Sequence, residues 1–569
     1  MRLMSPFWLV MWSSTLSFAW LLPNHYRPWL SFHADVWTAA NILLWAPFLI
    51  IFSPWGLRWD RVTVLVASLV CVPFLQFNFG IITQVGFVWT ISAYLIGLLL
   101  AIHIGSLWEN SNPYQLGDGL FLAVGIASIL SIGLQLQQWL ELDGLFLWTM
   151  GGDSMRPYAN LGQPNQLGTL LLWGVLAVAW GMHRNFIRST VALLTCLFLL
   201  FGVALTGSRT AWLNVVLLIG AAWFWRKLWS NSKLPWMAIA LGLYFSVCVI
   251  LQGWLRQLLP DSTDAFALDS IMRMGGELRP LAWATFLDAA WQRPFLGYGW
   301  GQVAMAQMAV AESHPNLHTV FSYSHNLFLD LILWCGIPLG LFITVAILYW
   351  FWKQLVAVKA EGDALLLMLL LVVGIHAMLE LPLYFGYFLF PVGLVIGAMN
   401  TKLVESPLFE TGRWPIVVLW LIATTLLVAI VRDYSKVESS YRTLRMEWMN
   451  FKITTPVGPP EVFILTQWGA YIKLARLEPA GGMSSDDLNG LQDMIVLHPN
   501  LLIFHKIATS MALNNRPQEA VLWLRRMCKV ASMSECFEFK NMWEKQAKVH
   551  PAIAAIPWPI NSDEGNMRK

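Results

Sequence analysis

The chain has 569 residues, of which 57% are hydrophobic and only 12% charged, with a mean hydropathy of +0.58 and a net charge of +3. A soluble domain of this length carries about twice that charged fraction, so a water-soluble globular protein is excluded and a polytopic membrane protein is indicated. The small net charge says little about partners, because in membrane proteins the location of Lys and Arg matters more than their sum.

In chain order, thirteen apolar stretches approach the roughly 20 residues that a spanning helix needs. They lie near 4–22, 34–53, 62–78, 86–107, 118–137, 167–182, 189–206, 210–225, 234–251, 326–352, 364–380, 384–400 and 414–431. The first follows Arg2 without a small-x-small cleavage site and reads as a spanning helix, not a cleaved signal. Many of the 33 Trp lie near the ends of these stretches, where indoles favour the membrane interface.

With a cytoplasmic N-terminus, alternate loops carry Arg58 and Arg61, then Arg184 and Arg188, then Arg226, Lys227 and Lys233, then Lys353 and Lys359, then Lys402 and Arg413. The Glu109–Gly117 loop has no Lys or Arg and is the one exception to the rule that cytoplasmic loops are basic. Thirteen crossings place the tail from Asp433 onwards outside. The expected organisation is a transmembrane domain over 1–432 and an outside helical domain over 433–569. In the tail, His498–Asn514 and Arg516–Val530 form a helix–turn–helix with Ala508, Ala512 and Ala520 as small packing positions; one tetratricopeptide-type unit and plain helical packing explain it equally.

The longest polar segment between membrane stretches runs from Gln252 to Asp330 and ends in Ser-His-Asn-Leu-Phe-Leu-Asp. A long loop that delivers a His and an Asn to the lip of a helix is a place for chemistry. Asn326 and Asp330 are four apart and share a helical face, with His325 beside them as a proton acceptor or donor, or else as part of a helix cap. Arg279 opens Arg-Pro-Leu-Ala-Trp, where Pro280 suits a first helical turn and Trp283 follows one turn later. That pair could hold a phosphate and stack on a sugar or lipid, or belong to a helix lying on the membrane. Arg209, in a short turn beside Gly207 and Ser208, offers a planar fork for phosphate oxygens or snorkels to headgroups. His376 and Glu380 form a His-x-x-x-Glu pair near one helix end, either functional or a staple between helices. Asp261, Asp264 and Asp269 are irregularly spaced, and His314, His318 and His325 lack zinc spacing, so no metal is expected.

Several motifs occur in order: Gly-Gln-Pro-Asn-Gln (Gly162–Gln166), Thr-Gly-Ser-Arg-Thr-Ala-Trp (Thr206–Trp212), Arg-Pro-Leu-Ala-Trp (Arg279–Trp283) and Pro-Phe-Leu-Gly-Tyr-Gly-Trp-Gly (Pro294–Gly301). Together with Ser-His-Asn-Leu-Phe-Leu-Asp and His-Ala-Met-Leu-Glu, they make the chain resemble bacterial O-linked protein oligosaccharyltransferases of the PglL or pilin-glycosylase type. These lie within the O-antigen ligase and polymerase superfamily. The resemblance implies an all-α, GT-C-like inner-membrane protein with about thirteen transmembrane helices, a catalytic periplasmic loop over about 252–325 and a helical, TPR-like periplasmic domain. It implies en bloc transfer of a preassembled glycan from undecaprenyl pyrophosphate to a Ser or Thr hydroxyl of a periplasmic protein or pilin, inverting, with no cofactor or metal. Arg209, Arg279 and His325 would be catalytic. Asn326, Asp330, Trp283, Arg156, Gln163, Asn165, Tyr298, His376 and Glu380 would contact substrates. Cys528 and Cys536, facing an oxidising periplasm, could form a local disulfide or remain free thiols. Competing readings are an O-antigen ligase acting on lipid A core, an O-antigen polymerase, and a transporter or flippase without chemistry.

Overall fold

The computed structural model describes residues 5–53, 56–142, 144, 147–151, 156–256, 278–403, 407–451 and 458–559. The first part of the large loop, with Asp261, Asp264 and Asp269, lies outside the described residues. The rest is almost wholly helical, as the apolar runs require. Among the described residues, eight helices are long and apolar enough to cross a membrane, and three shorter apolar ones, Ser189–Leu205, Arg209–Phe224 and Gly386–Asn400, coincide with further expected spans. This is a multi-pass membrane protein.

The chain divides into two compact units. The first comprises Met1–Cys71, Ser92–Ser270 and Ala346–Val431, and the second Val72–Ile91, Ile271–Val345 and Arg432–Lys569.

In the first unit the helices pack closely through small residues, as helices in lipid must when no hydrophobic force separates them from their solvent. A side chain at Gly105 would collide with the Leu394 backbone, and one at Gly397 with the Ile102 carbonyl. Buried polar side chains bond across helices: Ser128 donates to the Leu170 carbonyl, Gln135 to Gly202 and Trp173 to Leu369. The unit also holds one short antiparallel ribbon, Leu57–Trp59 against Phe409–Thr411, which an all-helical expectation omits. The acidic Glu109–Gly117 loop is neutralised from elsewhere in the chain. Lys402 Nζ lies 2.8 Å from the Glu109 carboxylate and 4.4 Å above the Tyr114 ring.

The second unit corrects two expected boundaries. The stretch 326–352 is two helices, Leu327–Cys335 and Ile337–Ala357, broken at Gly336. Gly336 has a φ of 83°, and a side chain there would collide with the Phe295 carbonyl, so only glycine fits. The last apolar helix does not stop at 431 but runs from Trp414 to Trp448. Asp433 on it accepts from the backbone N–H groups of Phe463, Ile464 and Leu465, tying the returning chain to the helix. The tail continues as helices Thr466–Arg476, Ser485–Leu497, Leu501–Leu513, Pro517–Val530 and Met533–Ala547. Cys528 and Cys536 are joined as a disulfide between the last two.

Candidate active site

In the second unit the residues expected from sequence gather around His325. Its backbone has a φ of 60°, an uncommon conformation for a residue with a side chain. Three contacts impose it. Asn326 caps helix Leu327–Cys335, its Oδ1 accepting from the N–H groups of Phe328 and Leu329. Buried Asp330 reaches back and accepts from the Ser324 N–H at 2.8 Å. The Ser324 hydroxyl donates to the Asn326 carbonyl. The chain is thus fixed on both sides of His325 while the imidazole stays half-buried against Tyr323, with ring centroids 4.5 Å apart.

A helix over 278–292 supports this turn. Trp283, expected to stack on a sugar, donates its indole N–H to the Ser324 carbonyl at 2.8 Å, next to His325. Arg279 lies one turn earlier on the same side of that helix, half-buried. Tyr298, expected to touch substrate, is 4% exposed: its ring packs under the Arg293 guanidinium and its N–H donates to Leu333. Burial pushes its phenol upward.

In the first unit, exposed Arg209 begins helix Arg209–Phe224. Ser208 caps that helix by accepting from the Ala211 N–H, and Gly207 takes a φ of 58° to turn the chain into it. Arg209 makes no side-chain hydrogen bond or ion pair among the described residues. Arg156 donates from Nε to the Thr206 carbonyl at 3.4 Å, so a second guanidinium adjoins the same turn. Gly168 packs against Ala211, which brings the start of helix Pro164–His183 alongside.

His376 and Glu380 do not lie on one helix, because Glu361–Ala377 ends before Glu380. Both are buried and both reach the 163–169 segment. His376 Nδ1 lies 2.8 Å from the Thr169 hydroxyl, while the Glu380 carboxylate accepts from Gln163 and Asn165 at 3.3 Å each. Gln163 and Asn165 therefore face a buried carboxylate. His25, not singled out from sequence, sits where a side chain at Gly162 would meet its Nδ1 at 3.6 Å. Burial pulls its imidazole downward, partly opposed by the Asn160 and Leu22 backbone. Its signal was only its place in a polar loop.

In the first unit Arg209 stands at a capped turn without a side-chain partner among the described residues, and in the second unit His325 is held in a turn with positive φ. Three family descriptions match the chain: "Protein glycosylation ligase" over 157–180, "O-Antigen ligase" over 194–344 and "Virulence factor membrane-bound polymerase, C-terminal" over 364–530. The chain is 28% identical over 535 residues to a general O-oligosaccharyltransferase of Acinetobacter baylyi, covering 92% of each. It is 30% identical over 277 residues to a ComP-specific O-oligosaccharyltransferase of the same organism, covering 49% of this chain and 50% of that one. The chain is thus similar over nearly its whole length to an O-oligosaccharyltransferase, and separate segments of it match the protein glycosylation ligase and O-antigen ligase descriptions.

Proposed function

We propose that the chain moves a preassembled glycan en bloc from undecaprenyl pyrophosphate to a Ser or Thr hydroxyl of a periplasmic or pilin protein, at the outer face of the inner membrane. The observation that carries the mechanism is the turn that holds His325 between two anchored residues, Ser324 and Asn326. The acceptor oxygen attacks the anomeric carbon, the bond from that carbon to the pyrophosphate oxygen breaks, and configuration inverts. His325 takes the hydroxyl proton. Arg209 and Arg279 stabilise the negative charge that gathers on the leaving diphosphate, a contribution worth on the order of 100-fold or more per donor. Asn326, Asp330 and Trp283 serve by holding His325, and Arg156 adds positive charge beside Arg209. Glu380 orients Gln163 and Asn165. No metal or cofactor is needed in this scheme.

The N-terminus would be cytoplasmic, and the tail from 433 would sit outside, where it could take part in choosing the acceptor. The test is the intact mass of secreted and pilus proteins from cells with the gene deleted, restored, or restored as His325→Ala, with lipopolysaccharide run alongside. Loss of a glycan mass on deletion, unrestored by the variant and with normal lipopolysaccharide, is expected. Unchanged protein masses with a lost O-antigen ladder would instead assign a lipid A core acceptor.

A further inference from the structure

The helix over 278–292 buries one face in the second unit through Ala282, Thr285, Phe286, Ala289 and Ala290. Its opposite face is exposed at Pro280, Ala284, Leu287 and Trp291, which follow one another at spacings of four, three and four residues. That stripe is wholly apolar. An exposed apolar stripe opposite a buried apolar face, bordered by Asp288 and Gln292, is poorly matched to water and suits another medium. The chain continues directly into Phe295 and Leu296, which are 77% and 53% exposed.

The position of this surface identifies the medium. The Pro294 carbonyl accepts from the N–H of Ile337, the first residue of the spanning helix Ile337–Ala357, at 2.6 Å. One turn into that helix, Leu341, Phe342 and Val345 are exposed, as lipid-facing residues of a spanning helix are. The apolar surface of Leu287, Trp291, Phe295 and Leu296 is thus continuous with the lipid-facing side of a span and lies at its end, the level where aromatic side chains concentrate in membranes. The polar side chains that border it are few and engaged with one another or with neighbours: Asp288 is bound to His314 and Gln292, exposed Arg293 lies over the Tyr298 ring, and Arg279 is on the Trp283 side.

We propose that Leu287, Trp291, Phe295 and Leu296 form a lipid-binding surface that moors the catalytic loop in the membrane interface. Lipid holds one face of the helix, while Trp283 on the same helix holds the Ser324 carbonyl beside His325. The bilayer thereby becomes part of what positions the histidine. The surface is defined by its exposure and continuity, independently of the roles proposed for His325 and the arginines.

The test is site-directed spin labelling of the full-length chain in liposomes of phosphatidylethanolamine and phosphatidylglycerol. Cys71, the exposed free cysteine, is replaced by Ser and the disulfide is kept. Nitroxides are placed at Leu287→Cys and Trp291→Cys, with Phe342→Cys as lipid control and Asp486→Cys as aqueous control. Collision rates with oxygen and with a water-soluble nickel chelate are compared. The expected result is an oxygen-to-nickel ratio at 287 and 291 several-fold above that at 486 and grouped with 342. A ratio equal to that at 486 overturns the proposal. Suppression of both collisions also overturns it and assigns the face to a protein partner. If Trp291→Cys yields no folded protein by size exclusion, Leu287→Cys and Phe295→Cys decide.

Discussion

Asp330 accepts a hydrogen bond from the Ser324 N–H at 2.8 Å, bridging the chain across His325 from inside the next helix. The two residues are 2% and 1% exposed, so the bridge is shielded from water. Losing a buried hydrogen bond so that its donor is left unpaired costs roughly 1–3 kcal/mol. Asp330→Ala is expected to lower the transfer rate about 10- to 100-fold, in proportion to the freed turn. Asp330→Asn retains an oxygen for the Ser324 amide and should keep most activity. Transfer of glycan to acceptor by isolated membranes, at saturating donor, measures both.

His325→Gly separates the imidazole from the backbone that carries it. Glycine accepts the φ of 60° without strain, so the turn persists while the proton acceptor is gone. Transfer should fall by about 100-fold or more with unchanged thermal stability. Residual transfer near the wild-type rate would remove His325 from the chemistry.

Arg209 is exposed and makes no side-chain bond among the described residues. Arg209→Ala should therefore leave stability within about 0.5 kcal/mol, as surface substitutions usually do. Its transfer rate should nevertheless fall about 100-fold, and Arg209→Lys should recover only part, since Lys lacks the bidentate fork. Thermal unfolding and transfer assays on the same preparations separate the two effects.

Asp493 gives a pH dependence. It accepts from Thr83 and Gln84, and burial raises its carboxyl above the ordinary range against the opposing pull of those two bonds. A carboxyl that holds its proton more tightly when folded favours the fold below its unfolded pKa, and that contribution disappears as pH rises past the raised value. Protection of helix Ser485–Leu497 against hydrogen exchange, corrected for intrinsic rate, should be greater at pH 5 than at pH 7.5. Asp493→Asn cannot ionise and should flatten that slope.

The Cys528–Cys536 disulfide closes a short loop, and Asn316 donates to the carbonyls of Cys528 and Ala531 at its base. Replacing both cysteines by Ser should destabilise the tail by about 2–3 kcal/mol, the chain-entropy value for a loop of this size. Chemical unfolding followed by fluorescence measures it, and a gel shift with reductant reports the bond in cells.

Much of this protein was legible in its residues. Long apolar runs announce membrane helices because lipid selects on local composition, and most expected stretches are helices close to the expected bounds. The order of short motifs carries the resemblance to the oligosaccharyltransferases, and Ser-His-Asn at a helix lip marks the turn that Asn326 caps. What sequence could not decide were pairings between residues distant in the chain. Gly336 breaks an apolar run because the Phe295 carbonyl occupies the place of its side chain. Lys402 answers the acidic loop at Glu109 from nearly three hundred residues away. His376 and Glu380, matched by spacing, turn instead to Thr169, Gln163 and Asn165 because their helix ends between them. Trp283 becomes an anchor because its indole N–H needs a carbonyl once partly buried, and only packing brings that of Ser324 within reach. Local composition sets which segments become helices. Which polar group meets which depends on long-range packing.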